Sequence, residues 1–437
     1  MKRILAVLLV LAMVFSLAAC SKEEDKPASN SGNTNNTSST EGVVSDETAT
    51  LKLWDIAVPG DGNRPAYDAS LKELKVMFPN VTIEEDCTEN EAYKPKIKAA
   101  VANNEVPDIF FTWAGAFLGD FANAGKVYCL DEELKKYVDS GELPAAMLGN
   151  STYGGKHYGV PTTMNVVGLF ANLDILAQVG YTKIPETKEE LFDCCDKLVA
   201  KGIIPFGCSG KENWCVTEYL EPIIEKTIGA TELNDIFRNG KTWNNAGIAT
   251  AVDTLQQMID KNYFDPNGIA LGNEEVKANF MAGKYAFYQN GTWNCGDFSD
   301  PAKVSFNVTV GEWPVMDASK SSMGQLIGGP SDTIAVSANA PKVAAQFAVE
   351  FGRLICHYGY LAGSGLPAWT PYGDTSAVSQ LTQTVAGICN KANGYVLFGD
   401  NAMSAEDADK YLNYVAKVYG KEIDGAGFVA GLTSELR

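Results

Sequence analysis

The sequence predicts an α/β fold in two lobes. Three observations carry this: strand and helix patterns alternate in the first part of the body, the pattern turns helix-rich after a short crossing segment, and the chain is long. Without a leader and a polar spacer, about 390 residues remain, more than one hydrophobic core organises.

In the first lobe, Thr50-Leu51-Lys52-Leu53-Trp54 alternates as a half-buried strand does, and Pro59-Gly60-Asp61-Gly62 reads as a loop. A helix is expected over Tyr67–Phe78, a strand at Val81–Glu84, a helix over Tyr93–Asn103 and a strand at Asp108–Phe111. Strands separated by helices imply crossover connections and a wound sheet. The carboxyl ends of such strands face the ligand crevice, which puts Trp54, Asp55, Thr112 and Trp113 on its rim.

The shift comes at Tyr158-Gly159-Val160-Pro161-Thr162-Thr163. Helices are expected near Lys188–Lys201, Cys215–Ile228, Ala246–Lys261 and Glu274–Met281, with a short strand at Tyr285–Tyr288. Pro222 is expected to kink the second of these or delay its start. The expected division is leader 1–19, spacer 20–48, first lobe 49–160, second lobe 161–315, a return to the first lobe over 316–360, and the second lobe again over 361–437.

Lys2 and Arg3 form a positive start, Ile4 to Leu17 an apolar run too short to span a membrane, and Leu17-Ala18-Ala19-Cys20 a small-residue cleavage site. Leu-Ala-Ala-Cys in this place resembles the bacterial lipobox, so Cys20 is the expected lipid attachment site; the alternative is ordinary cleavage with an incidental cysteine. Ser21 to Thr48 contains no aromatic residue and is polar, the composition of a tether. Such a chain is held at the outer face of the cytoplasmic membrane by its N-terminal lipid alone.

The formal charge is −19, and −21 once Lys2 and Arg3 leave with the leader. That balance argues against nucleic acid or anionic lipid as a partner. Besides Cys20 there are nine cysteines, an odd number, no CxxC, and two distant histidines without HExxH. Zinc, thioredoxin-like and cofactor chemistry have no support; most thiols read as small buried hydrophobes, with one candidate disulfide, Cys208 to Cys215.

Several segments carry a family resemblance. Pro107-Asp108-Ile109-Phe110-Phe111-Thr112-Trp113 and Phe121-Ala122-Asn123-Ala124-Gly125-Lys126-Val127 are the first. Tyr158-Gly159-Val160-Pro161, Gly168–Asn172 and Gly180–Leu191 follow, then Phe280–Phe287 with Asn290-Gly291-Thr292-Trp293, and Gly328-Gly329 leading into Ile334–Ser337. Together and in this order they resemble family 1 of the extracellular solute-binding proteins of ABC importers, the maltose-binding-protein-like receptors. The resemblance implies a type II periplasmic-binding-protein-like fold, with a cleft between lobes joined by a multi-segment hinge. It also implies a monomeric receptor, not an enzyme, that presents a solute, most commonly a sugar, to permease subunits.

Residue chemistry agrees. Sugar rings present C–H faces to aromatics and hydroxyls to directed polar groups. Tryptophans sit beside such groups at Trp54-Asp55, Glu212-Asn213-Trp214, Asn290-Gly291-Thr292-Trp293 and Ala368-Trp369. Trp293 is the leading platform, with Gly291 expected to let the backbone approach a ligand. Trp113, Trp214, Trp54 and Trp369 are further candidates, each with core packing as the alternative; Trp243 and Trp313 read as packing. Asp55, Asn165, Glu212, Gln289 and Asp332 are candidate hydroxyl contacts, each with capping or solvation as the alternative.

A secreted glycan-active enzyme would need two opposed carboxylates, which 54 acidic residues do not exclude. However, no G-x-S-x-G elbow or phosphate loop is present, and histidine is scarce. A non-sugar cargo such as a peptide or polyamine keeps the fold and changes only the ligand.

Overall fold

A computed structural model of the chain describes residues 43–436. The leader, Cys20 and most of the expected spacer lie outside the described residues. Its last part does not: the backbone N–H of Val44 donates to Met77 O at 2.8 Å and Asn80 Nδ2 to Asp46 O at 3.0 Å, so the body begins before residue 48.

The first sheet runs, in spatial order, Val81–Cys87, Ala49–Asp55, Ile109–Trp113, Asp332–Val336 and Val160–Pro161. The first three are parallel, as crossovers through the helices Arg64–Met77 and Asn90–Asn103 require. Asp332–Val336 comes from far along the chain and pairs antiparallel, Asp332 opposite Trp113 and Thr333 opposite Thr112. Helix Lys342–Ala362 packs on Arg64–Met77 and closes this lobe over a core including Leu51, Leu53, Phe78, Phe110 and Phe351.

The second sheet runs Gly394–Val396, Gln325–Pro330, Thr163–Asn172, Tyr285–Gly291 and Ile204–Gly207. Its long central strand shows why both faces are covered. Val167, Leu169 and Ala171 point into one core with helix Asn213–Ile228, while Val166 and Phe170, on the other face, point into a second with Tyr288 and Phe298. The helix Asn213–Ile228 starts earlier than Pro222 suggested and runs through that residue. Among the described residues no helix is long and apolar enough to cross a membrane.

Three segments pass between the sheets side by side. Val160–Pro161 leads into Thr163–Asn172, Gln325–Pro330 leads into Asp332–Val336, and Lys342–Ala362 is followed by Leu366–Pro367, which pairs with Met164 and Thr163. The return to the first lobe therefore falls between Pro330 and Asp332, not at 316. The strand before it, Gln325–Pro330, pairs with Thr163–Asn172 and Gly394–Val396 in the second sheet. The pairing of distant strands, invisible to local pattern, decides the boundary.

All nine described cysteines are free thiols. Cys208 and Cys215 are buried, and Cys208 Sγ lies 3.8 Å from the carbonyl of Cys215, so the candidate disulfide is not formed.

Candidate ligand-binding cleft

The lobes meet directly across their cleft. Trp214 Nε1 of the second lobe donates to Glu91 Oε1 of the first at 2.8 Å. Lys94 and Lys98 of the first lobe reach Asp400 and Asp409 of the second, each at 3.5 Å, and the Ala405 N–H donates to Asp120 Oδ2 at 3.4 Å. These contacts hold the two lobes against each other on one side of the cleft.

At the second lobe's edge Trp293 lies two residues past the end of the strand Tyr285–Gly291, in the short turn Thr292–Asn294. Its indole folds back onto that strand: a Cβ added at Gly291 would lie 2.1 Å from Trp293 Cζ3. The glycine expected to admit a ligand is instead filled by the ring two residues on. Trp214 stands 6.1 Å from Trp293 between centroids and Phe398 6.3 Å, which makes a three-ring wall. A cavity of about 510 Å3 opens against Trp293, lined by Gly60, Asp61 and Arg64 of the first lobe and Asp297 and Lys303 of the second.

The other tryptophans are held elsewhere. Trp113 is buried at its strand end, edge-on to Phe111 and Phe117 at 5.0 and 5.4 Å, with Lys94 Nζ 5.0 Å from its ring. Trp54 is half-buried under Lys96 Nζ at 4.2 Å. Trp369 is 4% exposed, donates Nε1 to Pro161 O at 2.7 Å and packs edge-on to Tyr137, inside the first-lobe core. Trp243 and Trp313 lie in the second-lobe core.

The polar candidates separate as well. Glu212 Oε2 accepts from Ser209 Oγ at 2.6 Å and from the Asn273 N–H at 2.8 Å, which ties down the start of helix Asn273–Met281. Asp55 alternates to the face opposite Trp54 and accepts from the Ala57 N–H at 2.8 Å. Burial and then the neighbouring Glu85 push its carboxyl up to about 7. Asp55, Glu85 and Cys87 are close enough together to ligate a cation, yet the Arg64 guanidinium already sits there, 2.7 Å from Glu85 Oε1 and 3.0 Å from Cys87 Sγ. Asn165 and Asp332 meet at the lobe crossings, where Asn165 Nδ2 donates to Asp332 Oδ2 at 3.4 Å and Thr163 Oγ1 donates to it at 3.3 Å. Gln289 is 1% exposed, with neither amide atom hydrogen-bonded to protein.

A two-lobed α/β body with a closing cleft and an aromatic wall has counterparts. Residues 61–353 match the family model described as bacterial extracellular solute-binding protein. The chain belongs to that family. An uncharacterized ABC transporter extracellular-binding protein of Pyrococcus horikoshii is 22% identical, over 68% of this chain and 66% of that one. The multiple sugar-binding protein of Streptococcus mutans is 25% identical, over 56% and 62%. The chain thus spans somewhat under two-thirds of the length of these relatives.

Among solved structures, one titled for xylan utilization by the thermophilic bacterium Caldanaerobius polysaccharolyticus is 30% identical with a TM-score of 0.84, covering 89% of this chain and all of that one. A chitin oligosaccharide binding protein shares the fold at 21% identity and a TM-score of 0.80, covering 89% and 98%.

Sequence reasoning missed Phe398, Glu91, Lys94 and Asp400. Phe398 joins Trp293 from a loop far along the chain, and Glu91 looks like an ordinary first-turn acid of its helix. Nothing local marks either one.

Proposed function

We propose that this protein is an extracytoplasmic solute receptor that captures a carbohydrate, a sugar or oligosaccharide, and delivers it to the permease subunits of an ABC importer. The observation that carries this reading is a cavity of about 510 Å3 between the two lobes with Trp293 in its lining, the indole itself flanked by Trp214 and Phe398. Apolar faces with polar groups at their margins suit a ring that is apolar on its faces and hydroxylated at its rim. Relatives named for sugars, xylan utilization and chitin oligosaccharides support the cargo class.

The receptor works without chemistry. A ligand that binds the closed state better than the open one draws the lobes together, and the permease reads the closed form. Cys20 anchors the chain by lipid at the outer face of the membrane, the polar spacer gives reach, and the receptor acts as a monomer.

The test is a thermal-shift screen of the body against mono- and oligosaccharides, with peptides, amino acids and polyamines alongside. A sugar-specific rise, with the sugar recovered unaltered, supports the reading. A rise only with a non-sugar replaces the cargo, and turnover of a glycan makes the protein an enzyme.

A further inference from the structure

Few large apolar side chains stand exposed among the described residues, and three of them, Val43, Val44 and Val76, come to one place, exposed by 56, 39 and 62%. The backbone joins them: the Val44 N–H donates to Met77 O at 2.8 Å, which lays the first described residues against the last turn of helix Arg64–Met77. Lys72 and Lys75 are exposed on the same end of that helix, Lys72 one turn before Val76 and so on its side. The result is an apolar patch with long cationic stems at its margin, the composition of a surface that rests in a lipid interface.

Strand direction fixes where the patch lies in the lobe. The strands Ala49–Asp55 and Val81–Cys87 are parallel and both begin beside it, the Ala49 N–H donating to Asn80 O at 3.3 Å. Their carboxyl ends lie toward the cleft, and so does the start of the helix, where Arg64 lines the cavity. Helix Arg64–Met77 has 14 residues, so it is about 20 Å long and runs from the cleft to the patch. The patch is therefore the pole of the first lobe that faces away from the ligand.

What covers the patch follows from where the chain enters the body. The spacer joins the body inside the patch, at Val43, so no other part of the body is nearer along the chain to Cys20. The spacer is no apolar cover for the valines, because Ser21 to Gly42 contains no Val, Ile, Leu, Met or aromatic residue. The span from Cys20 to Val43 reaches at most about 80 Å, so an anchored body meets the lipid surface at high local concentration and a weak contact suffices.

We propose that Val43, Val44 and Val76 form a membrane-resting face, on which the anchored receptor lies with this pole against the lipid surface and its cleft open toward the medium. The proposal rests on the lipid-anchor reading of Cys20 and extends it to a posture. The net charge of −19 repels anionic headgroups, so apolar burial carries the contact and a neutral bilayer accepts it. In this posture the cleft meets solute freely, and the receptor has to lift off its pole before the cleft rim reaches a permease.

The test is amide hydrogen exchange on the mature lipidated chain anchored to phosphatidylcholine vesicles, beside the Cys20→Ser chain mixed with the same vesicles. Exchange over residues 43–47 and 72–80 is expected to slow by about threefold or more in the anchored protein, with the rest of the surface unchanged. Val43→Ser, Val44→Ser and Val76→Ser together are expected to abolish that protection. The melting temperature should hold within about 2 °C, because the three side chains are already exposed.

Equal exchange in the anchored and unanchored chains overturns the proposal and leaves the anchor standing. Protection that survives the serine substitutions overturns it as well. A mature chain with no lipid on Cys20 by mass spectrometry overturns the anchor reading and the proposal with it. Slowed exchange in concentrated Cys20→Ser chain without vesicles, with a dimer in sedimentation, overturns it in favour of a second copy of this chain.

Discussion

Thr292 Oγ1 donates to Asn165 Oδ1 at 3.2 Å, which ties the residue next to Trp293 to the strand on which the chain first enters the second lobe. The same asparagine donates Nδ2 to Thr163 Oγ1 at 3.2 Å and to Asp332 Oδ2 at 3.4 Å, where the chain has just returned to the first sheet. Gly365, on the third crossing, approaches so closely that a Cβ there would lie 2.5 Å from Asn165 Oδ1. One buried amide therefore touches all three crossings and the residue beside the aromatic wall.

Asn165→Ala leaves Thr292 and Asp332 short of a partner in a buried place. It is expected to cost about 1–3 kcal/mol of stability and to widen the range of lobe openings. Chemical denaturation measures the first and the distance distribution between spin labels on the two lobes the second. An unchanged distribution would mean that the asparagine stabilises the crossings without governing how they bend.

Gly291→Ala follows from the folded-back indole. The new Cβ cannot coexist with a ring atom 2.1 Å away, so the Trp293 side chain must swing off the strand. Saccharide affinity is expected to fall by about tenfold or more, close to the effect of Trp293→Ala, at about 1–3 kcal/mol in stability. Calorimetry with any saccharide that binds the parent protein checks both. Retained affinity in Gly291→Ala would show that the ring position is adaptable.

What the sequence made legible follows from how far apart the interacting residues are. Strands at Thr50–Trp54 and Val81–Glu84 and helices near Lys188–Lys201 and Ala246–Lys261 appear where apolar periodicity put them, because that signal is local. The two-lobe division was legible too, from length and the change of pattern at Tyr158–Thr163. Gln325–Pro330 was misplaced because its sheet is decided by partners well over a hundred residues away in Thr163–Asn172. At the cleft, the Asn-Gly-Thr setting singled out Trp293, which lines the cavity between the lobes, while Trp369 gave no local sign that its indole would donate to Pro161 inside the first lobe.

Stability should depend on pH in a direction opposite to the usual acid sensitivity. Burial raises Asp332 from an ordinary aspartate value to about 6 and Glu221 to about 8, in each case against hydrogen bonds that favour the charged form. A carboxyl with a raised folded-state value binds its proton more tightly folded than unfolded. Its contribution is thus complete below the unfolded value near 4 and is lost as pH rises through 6 for Asp332 and 8 for Glu221. Unfolding free energy is expected to fall between pH 5 and pH 8 by about 2 kcal/mol or more. Denaturant titrations at both pH values check this, and Asp332→Asn should make the fall shallower below about pH 6 while leaving the share of Glu221 in place. A curve that rises over this range would show that these carboxyls are hydrated in solution.

The contact between Trp214 and Glu91 predicts how ligand residence is set. Trp214 belongs to the aromatic wall and Glu91 to the opposite lobe, so their 2.8 Å hydrogen bond exists only while the lobes are closed. Glu91→Ala removes that bond from the closed state alone, while the local contact from Asn90 Nδ2 to the same Oε1 is lost from both states and cancels, and the ammonium contacts of Lys94 and Lys98 remain. A neutral-to-charged hydrogen bond at a half-exposed site contributes about 1 kcal/mol, or roughly fivefold in the closed population. Dissociation should therefore quicken by about fivefold with little change in association, because most differences among variants of one interface lie in the off-rate. Stopped-flow tryptophan fluorescence reads both rates, and the melting temperature without ligand should hold. An equal slowing of association would place Glu91 in ligand capture instead of closure.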